Sequence, residues 1–303
     1  MIKIANAPCS WGVLEFDLEG EAAGYEQVLN EIKGTGYIGT ELGDYGFMPT
    51  NPKILSKELQ TRQLELLGAF VPINFSEQKD WEKGIDYMLK VAHLMKDAGY
   101  PNAFIVLSDE NGKNPIRSKN AGRISAQMQL NNEQWQIFAD GVNYAAETLW
   151  KTLNMKAVFH HHCAGYIETE DEIDKLMELT NPETVGLCFD SGHVKFGGGN
   201  PLKVLEKHWD RVWHVHFKDC SNAIHKRSRD NEWDYFESVK NGIFCELGKG
   251  DVNFKEIWHF LEEKNYNGWV VVEQDVLPGM GSPKQCAKNN LDFIRGLEKI
   301  FIN

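Results

Sequence analysis

The sequence predicts an α/β protein whose fold is a (β/α)8 TIM barrel. Eight short β-rich runs alternate with helical patterns along the 303 residues, and no low-complexity tract or linker interrupts them. Several of these runs end in histidine, aspartate or glutamate, as strands do on the catalytic face of a barrel. A doubly wound open sheet would instead need a GxGxxG turn after an early strand, and the early turns lack one. We therefore expect a single barrel domain over residues 1–303.

The first four strands are predicted from short runs of β-branched and aromatic residues. They cover residues 2–7, 37–42, 66–75 and 103–108. The first helix is indicated by Tyr25, Val28, Leu29 and Ile32, which follow the i, i+3, i+4, i+7 pattern of one helix face and precede two glycines. Further helices are expected at residues 51–64, where an Asn-Pro pair begins the helix, and at about residues 77–98.

The last four strands are expected at residues 155–162, 185–190, 212–217 and 269–275. The accompanying helices are predicted at residues 131–153, where Asn131 can cap the first turn, and at 170–179, 201–208, 254–264 and 282–300. Residues 109–130 are polar without an apolar period, so a loop is expected there. A second long connection, residues 218–253, carries Trp233, Tyr235 and Phe236 among charged residues and predicts a lid-like insertion after the seventh strand.

Composition narrows the range of partners. The net charge of −12 and the pI near 5.3 argue against nucleic acid, which needs a basic surface. The six cysteines show no CxxC spacing and several lie in apolar runs, as expected in a reducing cytoplasm. The sequence shows neither a signal-peptide pattern nor a run of about 20 apolar residues, so we expect a cytoplasmic protein without membrane contact. A small-molecule substrate is the expected partner, and a homo-oligomer stays open.

Acidic residues end two of the predicted strands. Asp190 ends the sixth, VGLCFDSGH, and a Ser-Gly turn can bring His193 back over the same end. Glu273 ends the eighth strand after a run of apolar residues and glycine, and Asp275 shares its face. A buried carboxylate is costly unless it is paired or binds a metal. Pairing of Glu273 with Lys218 is the purely structural alternative, and metal ligation is favoured by the neighbouring histidines.

Histidines cluster on two other strands. His214, His216 and Lys218 share one face of the seventh strand by alternation, whereas a single histidine there would more often be a hydrogen-bonded core residue. The fifth strand ends in the tract 160–162, in which His160 and His162 point to one side and the middle histidine to the other. An exposed histidine tract that chelates metal fortuitously is the alternative. Histidine, aspartate and glutamate form a nitrogen and oxygen donor set that suits Mn²⁺, Co²⁺, Fe²⁺, Zn²⁺ or Mg²⁺.

Three residues are candidates for contacts to substrate. Glu41 follows the second strand and is either a rim carboxylate that binds a substrate hydroxyl or a plain surface charge. Trp11 is a candidate wall of a polyol pocket, although scattered aromatic residues are more often part of the core. His214 is expected to face the substrate from the seventh strand.

Several motifs together resemble one family. The segments NAPCSWG, GTELGDYG, HHHCAGYIETEDEIDKLM, VGLCFDSGH, RVWHVHFKD and GWVVVEQD are similar, in order and rough spacing, to those of the xylose-isomerase-like TIM-barrel superfamily. Within it, the chain most resembles the inosose dehydratases of myo-inositol catabolism. The resemblance extends over nearly the whole chain.

The resemblance implies one divalent metal, Mn²⁺ or Co²⁺ ahead of Zn²⁺, Fe²⁺ and Mg²⁺. In the superfamily a Glu, an Asp, a His and a Glu at the ends of strands five to eight hold this ion. The last three fall on Asp190, His216 and Glu273, whereas His160 stands at the position of the first glutamate. Epimerases of this type move a proton between two facing carboxylates, so the exchange at His160 disfavours that chemistry.

The predicted function is therefore dehydration of a cyclic keto-polyol, with formation of an enolate and loss of water. The candidates for general acid and base are Glu273, His162, His193 and Lys218, and the sequence does not apportion the two roles among them. A keto-sugar isomerase or epimerase on the same barrel is one alternative. A sugar-binding barrel without catalysis is the other.

Overall fold

The structure, a computed structural model, describes residues 1–12, 23–277 and 279–301. Eleven strands occur in these ranges: β1 Lys3–Asn6, β2 Gly39–Thr40, β3 Glu65–Leu66, β4 Gly68–Pro72, β5 Phe104–Ser108, β6 Ala157–His160, β7 Val185–Asp190, β8 Val212–Phe217, β9 Asp219–Cys220, β10 Phe244–Cys245 and β11 Trp269–Val272. Nine of them form one parallel sheet in the order β3-β2-β1-β11-β8-β7-β6-β5-β4, and β9 pairs with β10 in a separate antiparallel ribbon.

The helices in the described ranges are α1 Tyr25–Thr35, α2 Pro52–Arg62, α3 Trp81–Asp97, α4 Pro115–Lys119, α5 Asn132–Leu153, α6 Glu170–Leu179, α7 Ser191–Phe196, α8 Pro201–Lys207, α9 Asn222–Asp230, α10 Tyr235–Lys240, α11 Phe254–Glu263 and α12 Pro283–Phe301. Short 3₁₀ turns occupy Pro8–Trp11, Gln78–Asp80, Ala126–Met128 and Trp209–Arg211. No helix of the described residues is long and apolar enough to cross a bilayer.

The sheet closes through a strand that is divided between its two edges. β3 and β4 are consecutive segments separated only by Leu67. The N–H of Leu67 donates to Thr40 at 3.0 Å, and its carbonyl accepts from Phe104 at 2.8 Å, so this residue joins both neighbours. The N–H of Leu42 donates to Gly68 at 2.9 Å and continues the contact. The predicted (β/α)8 barrel is confirmed, with the third predicted strand present as two segments.

Local capping determines several helix starts. Asn131 caps α5 with a capping box to Gln134, as the predicted start requires. Thr169 and Glu172 form a second capping box at the start of α6. A cap of this kind contributes about 1 kcal/mol, because it satisfies N–H groups that otherwise lack an intrahelical acceptor.

The barrel interior is mainly apolar toward the amino ends of the strands, and polar side chains lie toward their carboxyl ends. Small apolar side chains fill the lower layers, among them Ala5, Val271, Val106 and Val158. His160 follows Val158 by two residues on β6 and so lies one layer higher, at the carboxyl ends of the strands. The larger core cluster lies between the strands and the surrounding helices. The carboxyl ends of the strands therefore hold the candidate site, with His214 one layer below His216 on β8.

Both long connections contain regular structure. The segment expected to be a loop at residues 109–130 holds α4, whose first turn is capped by Asn114. Residues 218–253 are not an irregular loop but contain β9, α9, α10 and β10. Tyr235 and Phe244 from this segment are buried against Cys163 and Ala164, which follow β6. The segment is therefore folded rather than an open loop, and its predicted role as a lid over the site stays a prediction.

Candidate metal centre and active site

Four polar side chains meet at the carboxyl ends of β6, β7, β8 and β11. His160, Asp190, His216 and Glu273 each offer one potential ligand atom, and these atoms all lie within 4.8 Å of one another. His160 Nε2 is 3.4 Å from Asp190 Oδ2, and His216 Nδ1 is 3.4 Å from Glu273 Oε1. All four residues are buried. The structure thus brings together the residues that the resemblance assigns to a metal.

Asp190 is positioned by the start of α7. The sequence led us to expect a simple Ser-Gly turn here, but Asp190 is the N-cap of this helix. Its Oδ1 accepts the N–H groups of Gly192 and His193 at 2.8 and 2.9 Å, which leaves Oδ2 directed at His160 and His216. Burial alone would raise the pKa of Asp190, but His160 and Lys218 outweigh it and lower the pKa to about 2.

The site fits a divalent cation. Two imidazoles and two carboxylates are a donor set suited to Zn²⁺, Co²⁺, Fe²⁺ or Mn²⁺. His216 Nδ1 is buried and has no hydrogen-bond partner among the described residues, although it faces two carboxylates. Burial lowers the pKa of His216, but its negative neighbours outweigh burial and raise it well above the usual value. Without metal this imidazole therefore holds a proton that a bound cation would replace.

Glu41 lines the cavity and also contacts His216. His216 is one of the metal-facing quartet, which consists of His160, Asp190, His216 and Glu273. Oε1 of Glu41 is 2.6 Å from His214 Nε2 and 3.0 Å from His216 Nε2. Because a carboxylate only accepts, both imidazoles must carry a proton on Nε2, and His216 is left to bind a cation through Nδ1. Burial raises the pKa of Glu41, but the two histidines outweigh it and lower the pKa to about 2. Glu41 is 5% exposed, which excludes the alternative that it is a plain surface charge.

The three consecutive histidines have three different environments. His160 faces the quartet, whereas His161 points away and accepts the N–H of Asp190 at 3.1 Å through Nε2. β6 ends at His160, although the predicted strand extended to 162, and the N–H of His162 donates to the carbonyl of Ile167 at 2.9 Å. His162 donates through Nδ1 to the carbonyl of Cys163 at 2.6 Å, and its Nε2 lies 3.4 Å from the Tyr235 hydroxyl. The neutral tautomer of His162 therefore has its lone pair on Nε2.

Lys218 is a second positively charged group in the metal-free site, beside His216. Its Nζ lies 3.1 Å from Glu273 Oε2, 3.5 Å from Asp275 Oδ1 and 3.4 Å from His193 Nε2. Burial acts to lower the pKa of Lys218, but Asp275, Glu273 and Asp190 outweigh it and raise the pKa well above its usual value. Lys218 is therefore an ammonium group in the metal-free protein.

A cleft of about 650 Å³, open to solvent, lies above these residues. Its polar lining consists of Glu41, Asp44, His160, His162, His216, Lys218, Tyr235, Glu273 and Asp275. Tyr235 was not predicted as a site residue, because only the packing of α10 brings this part of the predicted lid to the cavity.

Four predicted site residues do not line this cleft. Asp190 is fully buried beneath it. Trp11 packs in the core and donates its indole N–H to Glu31 at 2.7 Å, so the structure does not place it as a pocket wall. His214 lies below Glu41, and His193 lies behind His162 at a ring-centroid distance of 3.8 Å. His193 also accepts the N–H of Cys163 at 3.2 Å.

Comparison with known proteins identifies the family. The family model described as "xylose isomerase-like TIM barrel" matches residues 29–297. The chain belongs to the xylose isomerase-like TIM barrel family. Inosose dehydratase from Clostridium tetani (strain Massachusetts / E88) is 32% identical over 295 residues, which cover 97% of this chain and 96% of that protein.

Solved structures share the fold of this xylose isomerase-like barrel at low sequence identity. A crystal structure of the IolI protein with a bound zinc atom has a TM-score of 0.71 at 14% identity, covering 99% of both chains. The structure of an L-ribulose 3-epimerase has a TM-score of 0.70 at 15% identity and covers 99% of this chain and 95% of that one. The chain is thus similar in sequence to an inosose dehydratase, and its fold is shared with an epimerase.

Proposed function

We propose that this xylose isomerase-like barrel is a metal-dependent dehydratase of a cyclic keto-polyol, with 2-keto-myo-inositol (scyllo-inosose) as the substrate to test first. The observation that carries the proposal is the relation to a curated inosose dehydratase over 97% of the chain. The buried quartet of two histidines and two carboxylates at the cavity supports it, because elimination next to a ketone needs electrophilic activation of the carbonyl oxygen.

The proposed cation site consists of His160, Asp190, His216 and Glu273. A divalent cation bound there would polarise the ketone oxygen and increase the acidity of the adjacent C–H group. Glu41 would keep His216 in the required tautomer from behind, and the N–H groups at the start of α7 would fix Asp190.

His162 is the proposed general base. Its Nδ1 donates to a backbone carbonyl, so its Nε2 carries the lone pair, and the side chain lines the cavity. His193, which stacks behind it outside the cavity, is a support rather than a direct participant. In the proposed reaction His162 removes the proton next to the carbonyl and the electron pair forms the enolate.

Lys218 is the proposed general acid. It lines the cavity as an ammonium group and lies between Glu273 and Asp275. In the second step the enolate electrons return, the bond from the β-carbon to its hydroxyl breaks, and Lys218 donates the proton with which that hydroxyl leaves as water. The product is the unsaturated ketone, which tautomerises to the dione. Glu273 is occupied by Lys218 and by the cation, so it is assigned to binding rather than to proton transfer.

The test is turnover of scyllo-inosose by protein stripped of metal with a chelator and then supplied with Mn²⁺, Co²⁺ or Zn²⁺. We expect ultraviolet absorbance of the dione to appear only with metal and to be lost in Glu273→Gln. Solvent deuterium that enters a substrate retaining all of its hydroxyl groups, without loss of water, would instead identify an epimerase or isomerase. Metal binding without either reaction would favour the non-catalytic sugar-binding barrel.

A further inference from the structure

Another cavity, the amino-end cavity, opens at the amino ends of the barrel strands, at the opposite end of the barrel from the cleft. Its volume is about 760 Å³, and it is open to solvent. Its walls include four half-buried aromatic side chains, those of Phe104, Trp213, Tyr266 and Trp269. Phe104 and Trp269 are the first residues of β5 and β11. A concave pocket of this size with aromatic walls is typical of sites that bind small molecules.

The positions of the two indole rings are set by packing within the barrel. A Cβ atom at Gly186 would lie 2.4 Å from the Trp213 ring, and one at Gly39 would lie 2.8 Å from the Trp269 ring. Both glycines lie on strands, so the rings occupy space that any larger residue there would take from them. The amino-end cavity is therefore shaped by the barrel itself rather than by freely moving surface side chains.

One buried polar side chain lines the amino-end cavity. His214 is 2% exposed, and it does not line the cleft at the other end. Its Nε2 donates to Glu41 Oε1 at 2.6 Å, so the neutral ring has its lone pair on Nδ1. Among the described residues Nδ1 has no hydrogen-bond partner. An acceptor without a partner on a buried side chain favours a ligand that donates a hydrogen bond.

We propose that the amino-end cavity binds a small planar aromatic molecule that carries an N–H or O–H donor, with His214 as the acceptor. The ring of the ligand would pack against the aromatic walls, which already include an aromatic contact to the acceptor. The ring centroids of Phe104 and His214 lie 5.6 Å apart. The amino-end cavity is separate from the cleft of the proposed function, so this inference and its test do not depend on turnover.

The test compares indole with 1-methylindole, which has the same ring system but no N–H donor. Equilibrium dialysis of the whole chain against each compound measures the two affinities. We expect indole to bind about 10-fold more tightly, which corresponds to a hydrogen bond of about 1.4 kcal/mol. Equal affinities for the two compounds would overturn the inference, and so would the absence of binding by either compound up to its solubility limit.

Matched variants distinguish the two ends of the barrel. His162 also has a lone pair on Nε2 and lines the cleft, so it is the competing acceptor for indole. His214→Phe should reduce the affinity for indole to that for 1-methylindole, because the variant keeps a flat ring and loses the acceptor. His162→Phe should leave both affinities unchanged.

Two results with these variants would overturn the inference. One is retention of the wild-type affinity for indole by His214→Phe, and the other is loss of indole binding in His162→Phe, which would locate indole in the cleft. Circular dichroism verifies the fold of both variants. The comparison of the two compounds on the unchanged chain needs neither variant.

Discussion

The buried ion pair between Arg117 and Glu172 predicts a large and specific effect on stability. The guanidinium of Arg117 donates to both carboxylate oxygens of Glu172 at 2.8 and 2.9 Å, and its Nε donates to the carbonyl of Gly165 at 2.7 Å. The side chain of Arg117 is fully buried. Arg117→Met removes these contacts, together with a longer one from Nη1 to the carbonyl of Met128 at 3.4 Å, and leaves a buried carboxylate without its cation.

Breaking a buried pair by removing one partner costs about 3–5 kcal/mol. Glu172 keeps two backbone donors, the N–H groups of Glu168 and Thr169 at 3.0 and 2.9 Å, so we expect the lower end, about 3 kcal/mol. Adding Glu172→Gln to Arg117→Met removes the unpaired charge, and glutamine can still form the capping box with Thr169. The double variant should therefore recover most of the loss.

The assay is urea unfolding followed by both tryptophan fluorescence and circular dichroism, with coincident transitions as the check on two-state behaviour. The reasoning is refuted if Arg117→Met costs less than about 1 kcal/mol, or if the double variant is no more stable than the single one. The pair also holds the segment after β6 that carries His162. Turnover of Arg117→Met should consequently fall while metal affinity stays unchanged, because His160 lies on the strand itself.

Three further predictions concern the site and its surroundings. The Lys218→Met variant should still exchange the α-proton of scyllo-inosose with deuterated solvent but should no longer eliminate water. The His162→Asn variant should lose both reactions, and proton exchange by this variant would exclude His162 as the base. Glu41→Gln should weaken metal affinity about 10- to 100-fold, because Glu41 orients His216. The KM at saturating metal should stay unchanged, and a raised KM would indicate that Glu41 binds the substrate directly. Burial raises the pKa of Glu168 to about 7, despite a nearby guanidinium and two backbone donors. The folded state then holds this proton more tightly than the unfolded chain does. The contribution of Glu168 to the free energy of unfolding should therefore fall by about 3 kcal/mol as the pH rises from about 4.5 to 7. Glu168→Gln should flatten this dependence in urea titrations at several pH values, and an equal slope in the variant would contradict it.

Features of the fold that depend on local sequence were predictable. The bounds of α6, β7 and β8 agree with the predicted ranges, because caps and apolar patterns act within a few residues. The division of the third strand was not predicted, because it depends on which neighbours Leu67 meets on each side. The same reason applies to the segment 218–253, whose apolar core forms against residues that follow β6.

The candidate site was also predictable only in the features that depend on local sequence. Alternation along a strand correctly placed His214 and His216 on one face, and it directed His160 and His161 to opposite sides. Alternation could not show that Glu41 bonds His214 across 173 positions, or that Trp11 turns toward α1 rather than the cavity. Pairings of this kind arise from closure of the barrel. The sequence therefore indicated which chemical groups reach the site better than it indicated how they contact each other.

The location of the candidate metal centre follows from how strands end in this barrel. Asp190 is at once the last residue of β7 and the N-cap of α7, so one carboxylate oxygen must face the N–H groups at the start of the helix. The aspartate side chain is short, and the strand already points along the barrel wall, so the second oxygen is left facing the axis. Glu273 reaches the same point differently, with one oxygen held by Lys218. Contacts that stabilise the folded chain thereby orient each ligand before a cation arrives, which reduces the reorganisation that binding requires.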